Sequence, residues 1–345
     1  MKHSSIMASA VCAIALAPMA FAQSSSAYSP PKTSWGVPDL QGYFTSASLT
    51  TLRRPPGVSG LIISQQEADT MFNRNIYTRV AKEEAGDQEA VTSGKEKLGL
   101  LTDANPDRAY NRYWMDPGSG IGKINGQYRS SWIVDPPDGQ IPYINPPKTG
   151  ISALASEEEQ YADLPSDNPE DRGLGERCVY FDRGGPVLTN SMYNNTYQIV
   201  QSPTHVMILT EQAHEARVIA INGKHGPSAV PKWAGDSIGW YEGDTLVVET
   251  TNVNPAQIQA LISPTGKLTE RFSRWSEDQI LYEFTVNDPT FYTQPWKGEM
   301  ALNRSAQPIY EYACHEGNYS FSGILQGARV LESQGRKPSI VVEGE

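Results

Sequence analysis

The sequence predicts a mainly β protein: a lipocalin-like antiparallel up-and-down barrel, preceded by an N-terminal extension containing a helix and a hairpin. Three observations carry that prediction. Beyond Arg177, short stretches alternate apolar and polar residues with the period of two that a half-buried strand requires. Tight-turn residues separate these stretches, as in Asn222-Gly223 and Glu242-Gly243-Asp244. Between them no segment is long enough for the helical crossover that a parallel sheet uses.

In chain order, residues 1–22 read as an export leader. Lys2 precedes a short apolar run, and Ala20-Phe21-Ala22 is a small-x-small cleavage site before Gln23. The run is too short to span a bilayer, which takes about 20 apolar residues. The expected location is therefore the periplasm or outside the cell, without stable membrane insertion. Residues 23–177 form a wrapping segment and linker. In it "WGVPDLQGYF" (Trp35–Phe44) is a first anchored stretch, and Ser64-x-x-Glu67 is a capping box opening a helix with Met71, Tyr77 and Val80 on its apolar side. Tyr128–Ile144 reads as strand, turn, strand around Pro-Pro-Asp-Gly. Residues 178–325 are the barrel, with about nine strands that include "IYEYACHE", and 326–345 are a peripheral tail.

Charge bounds the partners. The chain has 28 Lys and Arg against 39 Asp and Glu, a formal charge of −11 that becomes −12 when Lys2 leaves with the leader. Such a surface repels polyanions, so nucleic acid is not an expected partner and a small molecule is. The oligomeric state is left open. Cys12 falls in the leader, so Cys178 and Cys314 remain. In an oxidising compartment such a pair is expected as a disulfide.

Three stretches, "YNNTYQIVQSP" (Tyr193–Pro203), "WAGDSIGWYEGDTLVVETTN" (Trp233–Asn252) and "YEYACHEGNYSFSGILQGAR" (Tyr310–Arg329), resemble a widespread family of secreted bacterial proteins. The resemblance covers most of the chain after the leader. It implies export and a largely β architecture, and it implies no shared reaction.

The residues themselves suggest acid–base chemistry on a small organic molecule without a cofactor, by a lyase, isomerase or hydrolase. His214 and His315 would carry protons, with Glu283 or Glu311 as carboxylate partner. Arg217 would stabilise developing negative charge, helped by Asn194 and Asn195. Tyr193, Tyr197, Trp240, Tyr282 and Arg271 complete the expected binding surface. Period-two parity places Ile280, Tyr282, Phe284 and Val286 on one sheet face and Glu283 on the other, and puts His315 in phase with Glu311. If only one face is wet, Glu249, Glu283, Glu299 and Glu311 face water and pair with Arg271, Arg274, Lys297 and Arg304. Two alternatives stand beside the enzyme. One is a barrel that binds an apolar ligand without reaction. The other is a zinc or copper protein using His214, His225 and His315, although no compact metal-binding spacing occurs. An apolar cavity without paired titratable groups would favour binding; histidine and glutamate within hydrogen-bond reach would favour catalysis.

Overall fold

The computed structural model describes residues 28–75, 78, 116–145, 166–181, 185, 187–191, 193–255, 257 and 261–335. The proposed leader lies outside them, as do Tyr77 and Val80 of the expected helix.

The barrel is present and closed. Its staves are β1 (Gly42–Thr45), β6 (Thr196–Gln201), β7 (His205–Thr210), β8 (Ala216–Ile221), β9 (Asp236–Glu242), β10 (Thr245–Thr251), β11 (Lys267–Arg274), β12 (Gln279–Asn287) and β13 (Trp296–Arg304). Each pairs with the next, and β13 returns to β1. The aromatic stretch ending at Phe44 is thus a stave rather than a wrapping. It pairs Phe44 with Tyr197 on one side and with Arg304 on the other.

One junction departs from the antiparallel expectation. β8 and β9 run parallel, with Ala220 opposite Ile238 and Ile221 opposite Gly239. Asn222, in the left-handed region at φ 53°, turns the chain, but no hairpin follows. Residues 222–235 instead carry it back to the barrel end where β8 began. Segments outside a barrel can return in this way without a helix, which the crossover argument overlooked.

The expected hairpin at Tyr128–Ile144 is also repaired differently. A turn forms at Pro136–Gly139, with the Gly139 N–H donating to the Pro136 carbonyl at 3.0 Å. The strand before it, β5 (Ile133–Asp135), pairs with Lys297 and Gly298 of β13 rather than with the residues after the turn. Because β12 occupies one edge of β13 throughout, β1 and β5 share the other edge. β1 takes its C-terminal end and β5 its N-terminal end. The seam between them is where the cleft described below opens. A small sheet of β2 (Ile62–Ile63), β3 (Lys123–Ile124) and β4 (Gln127–Arg129) packs nearby with helix α1 (Gln65–Arg74). α1 begins with the expected capping box, Ser64 and Glu67 exchanging side-chain and backbone hydrogen bonds.

"IYEYACHE" is not a strand. β13 ends at Arg304, Cys314–Gly317 make a single helical turn, and α2 (Tyr319–Ser333) follows, running into the stretch expected as a tail. Glu311 and His315 therefore have no sheet parity, and both are exposed. Cys178 and Cys314 are joined by a disulfide with Cα atoms 5.9 Å apart, as expected, which fixes the start of this C-terminal segment to the chain that leads into β6.

Inward positions fill the barrel. Ile199, Ile208, Ile219, Val248, Phe272, Ile280, Tyr282, Phe284, Val286 and Trp296 belong to one core, each 3 % exposed or less. The parity assigned to β12 is correct. One barrel end is plugged by Leu40, which is fully buried; its N–H donates to Gln201 Oε1 at 2.6 Å, and Arg274 Nη1 donates to the Asp39 carbonyl at 3.0 Å. At the opposite end β1 stops, β6 starts, and residues 46–52, 187–191 and 193–195 lie at the opening.

Candidate ligand cleft at the barrel end

The sequence-chosen residues do not form one centre. Glu283, Arg271 and Trp240 lie on the outer wall. There Arg271 Nη1 donates to Glu242 at 2.8 Å, the Trp240 indole donates to the same carboxylate at 2.9 Å, and Glu283 stands opposite Arg271 and Glu299. Lys267 meets Glu249 at 3.1 Å and Arg129 meets Glu299 at 2.6 Å, so the acids inside strands are largely an outer ion-pair ladder. Arg274 faces inward and Arg304 lies 3.8 Å from Asp278, both away from the glutamates expected for them. His214 is exposed, with Nε2 3.0 Å from the Tyr310 carbonyl oxygen. Tyr193 comes near Tyr312, whose phenol burial pushes up, as does Tyr193, against a hydrogen bond from Gln212.

His225 has a separate position. It is half-buried outside β9 and β10, with Nδ1 3.0 Å from Asp236 Oδ2 and Nε2 3.3 Å from Glu249 Oε1. Its carboxylates therefore sit on opposite sides of the ring and cannot converge with it on one ion. Among the described residues no three His, Cys, Asp or Glu side chains are grouped to hold a metal. The trio His214, His225 and His315 is not assembled. Burial works to raise the Asp236 carboxyl, but hydrogen bonds from Lys232, the Gly226 N–H and His225 outweigh it and leave it below its ordinary value of 3.8. A depressed carboxyl stabilises the fold at pH values above its unfolded pKa, and loses that contribution as pH falls through the folded value. Asp236→Asn is accordingly expected to lower stability at neutral pH. The gap from wild type, measured by urea unfolding, should close below about pH 4, where the unfolded carboxyl also titrates.

Arg217 and Tyr282 are inside the barrel, together with a residue the sequence reading passed over. Glu270 is fully buried and takes Arg217 Nη1 at 2.6 Å and Nη2 at 2.9 Å. Tyr282 donates to Glu270 Oε1 at 2.8 Å and accepts from the Leu188 N–H at 3.1 Å. Burial first, then the Glu270 charge, push the Tyr282 phenol well above its ordinary range, so it remains a donor. Glu270 was available to parity: it lies in phase with Leu268 and Phe272.

Above this cluster, at the seam between β1 and β5, is a cleft of about 280 Å³. Its apolar walls come from Leu49, Leu52, Trp132, Leu188, Phe284 and Met300, and its polar edge from Ser48, Thr50, Thr51, Asn190 and Ser191. Gly122 shapes one wall, because a Cβ there would stand 2.3 Å from the Trp132 ring and 2.9 Å from Ser48 Oγ. Asn190 is fully used within the protein: Oδ1 accepts from the Trp132 indole at 2.9 Å, and Nδ2 donates to the Ser48 and Thr50 carbonyls at 2.6 and 3.0 Å. Thr50 Oγ1 is likewise engaged, donating to the Arg129 carbonyl at 3.0 Å and accepting from the Gly122 N–H at 2.9 Å.

Two of the expected ligand contacts support this cleft from behind. Tyr197 OH donates to the Thr189 carbonyl at 2.8 Å, while Asn195 Oδ1 accepts from the Ser191 N–H at 2.7 Å. Both residues are 2 % exposed, and Asn194 beside them supplies a left-handed turn at φ 54°. Among the described residues lining the cleft, none is Asp, Glu, His, Lys, Arg, Cys or Tyr. A second, shallower hollow of about 360 Å³ lies over the disulfide between Phe181, Tyr312 and Asn318; its Glu176 is paired with Arg172 at 2.8 Å.

No protein-family model, no curated protein and no solved structure matches the chain. What fold and site define together is a closed β-barrel with a small cleft at one end, uncharged among the described residues that line it.

Proposed function

We propose that this protein binds a small, neutral, predominantly apolar molecule in the cleft at the barrel end, without transforming it, after export to the periplasm or beyond. One observation carries the reading. Among the described residues the cleft presents Leu, Phe, Met and Trp surface with no titratable lining side chain, and the fixed polar groups of Thr50 and Asn190 are already committed to the protein. A charged ligand would lose its hydration there and gain no counter-charge. An acid–base reaction needs a proton carrier within about 3 Å of the substrate, and His214 and His315, named for that work, are exposed and are not among the described residues lining the cleft. The volume is just below the usual range for drug-sized ligands, which suits a molecule of one to three rings. Export is supported by the leader pattern and by the resemblance to secreted bacterial proteins. Among the described residues no helix is long and apolar enough to cross a membrane.

The test pairs two probes with a common skeleton. N-phenyl-1-naphthylamine is neutral, and 1-anilinonaphthalene-8-sulfonate adds one negative charge. The neutral probe should bind with fluorescence enhancement at least about tenfold more tightly, the cost of leaving one charge imperfectly solvated being over about 1.4 kcal/mol. Leu52→Trp, which places an indole in the cleft, should abolish the difference. Equal affinity for both probes, unaffected by Leu52→Trp, would refute the assignment.

A further inference from the structure

Residues 188–191 form one wall of the cleft, and each is fastened from behind. Ser191 is held by Asn195, Asn190 by its own amide, and Thr189 by the Tyr197 hydroxyl. Leu188 differs from the rest. Its N–H ends on Tyr282, whose hydroxyl ends on Glu270, whose carboxylate is clasped by Arg217. All three side chains are 2 % exposed or less. Gly185, three residues before the wall, lies directly on the guanidinium. At φ 118° and with a Cβ position only 2.8 Å from Nη1, that contact is open to glycine alone. Tyr180 OH donates to the Gly185 carbonyl at 2.8 Å and closes the arrangement.

A buried ion pair is a costly way to fill a barrel, since matched apolar side chains commonly do as well or better. What it offers is rigidity: its hydrogen bonds have no alternative partner in water, so the groups they hold cannot drift. We infer that Tyr282, fixed by Arg217 and Glu270, is the positioning residue of the cleft, holding the Leu188 backbone so that the wall keeps the width that selects ligand size. This inference rests on the cleft being a binding site. It predicts a pre-organised pocket, in which affinity depends on a hydroxyl that never touches the ligand.

The experiment uses the full chain and two isosteric variants, Tyr282→Phe and Tyr241→Phe. Tyr241 accepts a hydrogen bond from Gln201 at the plugged end and serves as control. Tyr282→Phe should weaken N-phenyl-1-naphthylamine binding at least about tenfold and speed hydrogen exchange at the Leu188 amide by a similar factor. Tyr241→Phe should leave both unchanged. If Tyr282→Phe lowers the unfolding midpoint but alters neither probe affinity nor Leu188 exchange, the residue is merely structural and the inference is overturned. If wild-type protein does not bind the probe at all, the cleft reading falls and this one with it, whatever the exchange shows. Should Tyr282→Phe fail to fold, the wild type decides: the probe should slow Leu188 exchange at least about tenfold more than exchange at Leu40, and equal slowing overturns the inference.

Discussion

Arg217→Met will destabilise the protein by about 3–5 kcal/mol, the largest effect expected of a single substitution here. The reason is the buried, unneutralised carboxylate it leaves, not the loss of an attraction. Glu270 is fully buried, and with Arg217 gone it keeps, among the described residues, only the Tyr282 hydroxyl. Glu270→Met should cost a similar amount by stranding the guanidinium. The double variant should recover most of either loss. Among the described residues Arg217 Nε is a buried donor without a partner, so the native pair is not fully compensated and its joint removal is cheap. Urea unfolding of the four proteins closes the cycle, and strongly sub-additive losses are the expected result. Additive losses would show that the two charges do not compensate each other.

Replacing both Cys178 and Cys314 by serine is expected to have the next largest effect. The bond spans 136 residues of sequence and encloses β6 through β13. On chain entropy alone, closing so long a loop contributes up to about 5 kcal/mol, and measured values commonly reach 2–4. The barrel strands contribute nothing to the bond, so their circular dichroism should survive in the folded double serine variant. The unfolding midpoint should fall, and dithiothreitol should shift the wild type to the same midpoint while leaving the variant untouched. A reductant effect on the variant would assign the loss to something other than the disulfide.

The barrel was legible because its signal is local. Alternation along β10, β11 and β12, with turn residues between, forces one face inward wherever the strands pair, so burial followed directly. β1 was not legible as a stave, because four residues of Gly-Tyr-Phe-Thr have too little pattern and are selected by the edges of β6 and β13. The parallel β8–β9 junction failed for a related reason: Asn222-Gly223 makes the turn it promised, while the direction of the chain beyond depends on His225 and Lys232 finding Asp236. "IYEYACHE" alternates like a strand but cannot continue the sheet beside β13, whose two edges are taken by β12 and by β1 with β5.

The cleft was the least legible part. Its described lining residues come from seven separate places, 48–52, 75, 117, 132, 188–191, 284 and 300, and none carries a chemical motif. Histidine and glutamate attract notice in a sequence because they can react, yet here His225 and Glu249 serve an outer strap and His214 an exposed turn. Asn195 and Tyr197, singled out as ligand contacts, stand behind the cleft with their polar atoms bonded into its wall. Glu270 could have been found by extending to β11 the parity already applied to β12.

The central claim is that an uncharged ligand seats itself between Trp132 and the 188–191 wall. Nuclear magnetic resonance of the labelled protein titrated with N-phenyl-1-naphthylamine tests it most directly. Saturable shifts confined to the Trp132 indole N–H, the Leu188–Ser191 amides, and the side chains of Leu52 and Met300 are the predicted outcome. Shifts concentrated instead around Tyr312 and Cys314, or on the outer wall at Trp240 and Arg271, would contradict it.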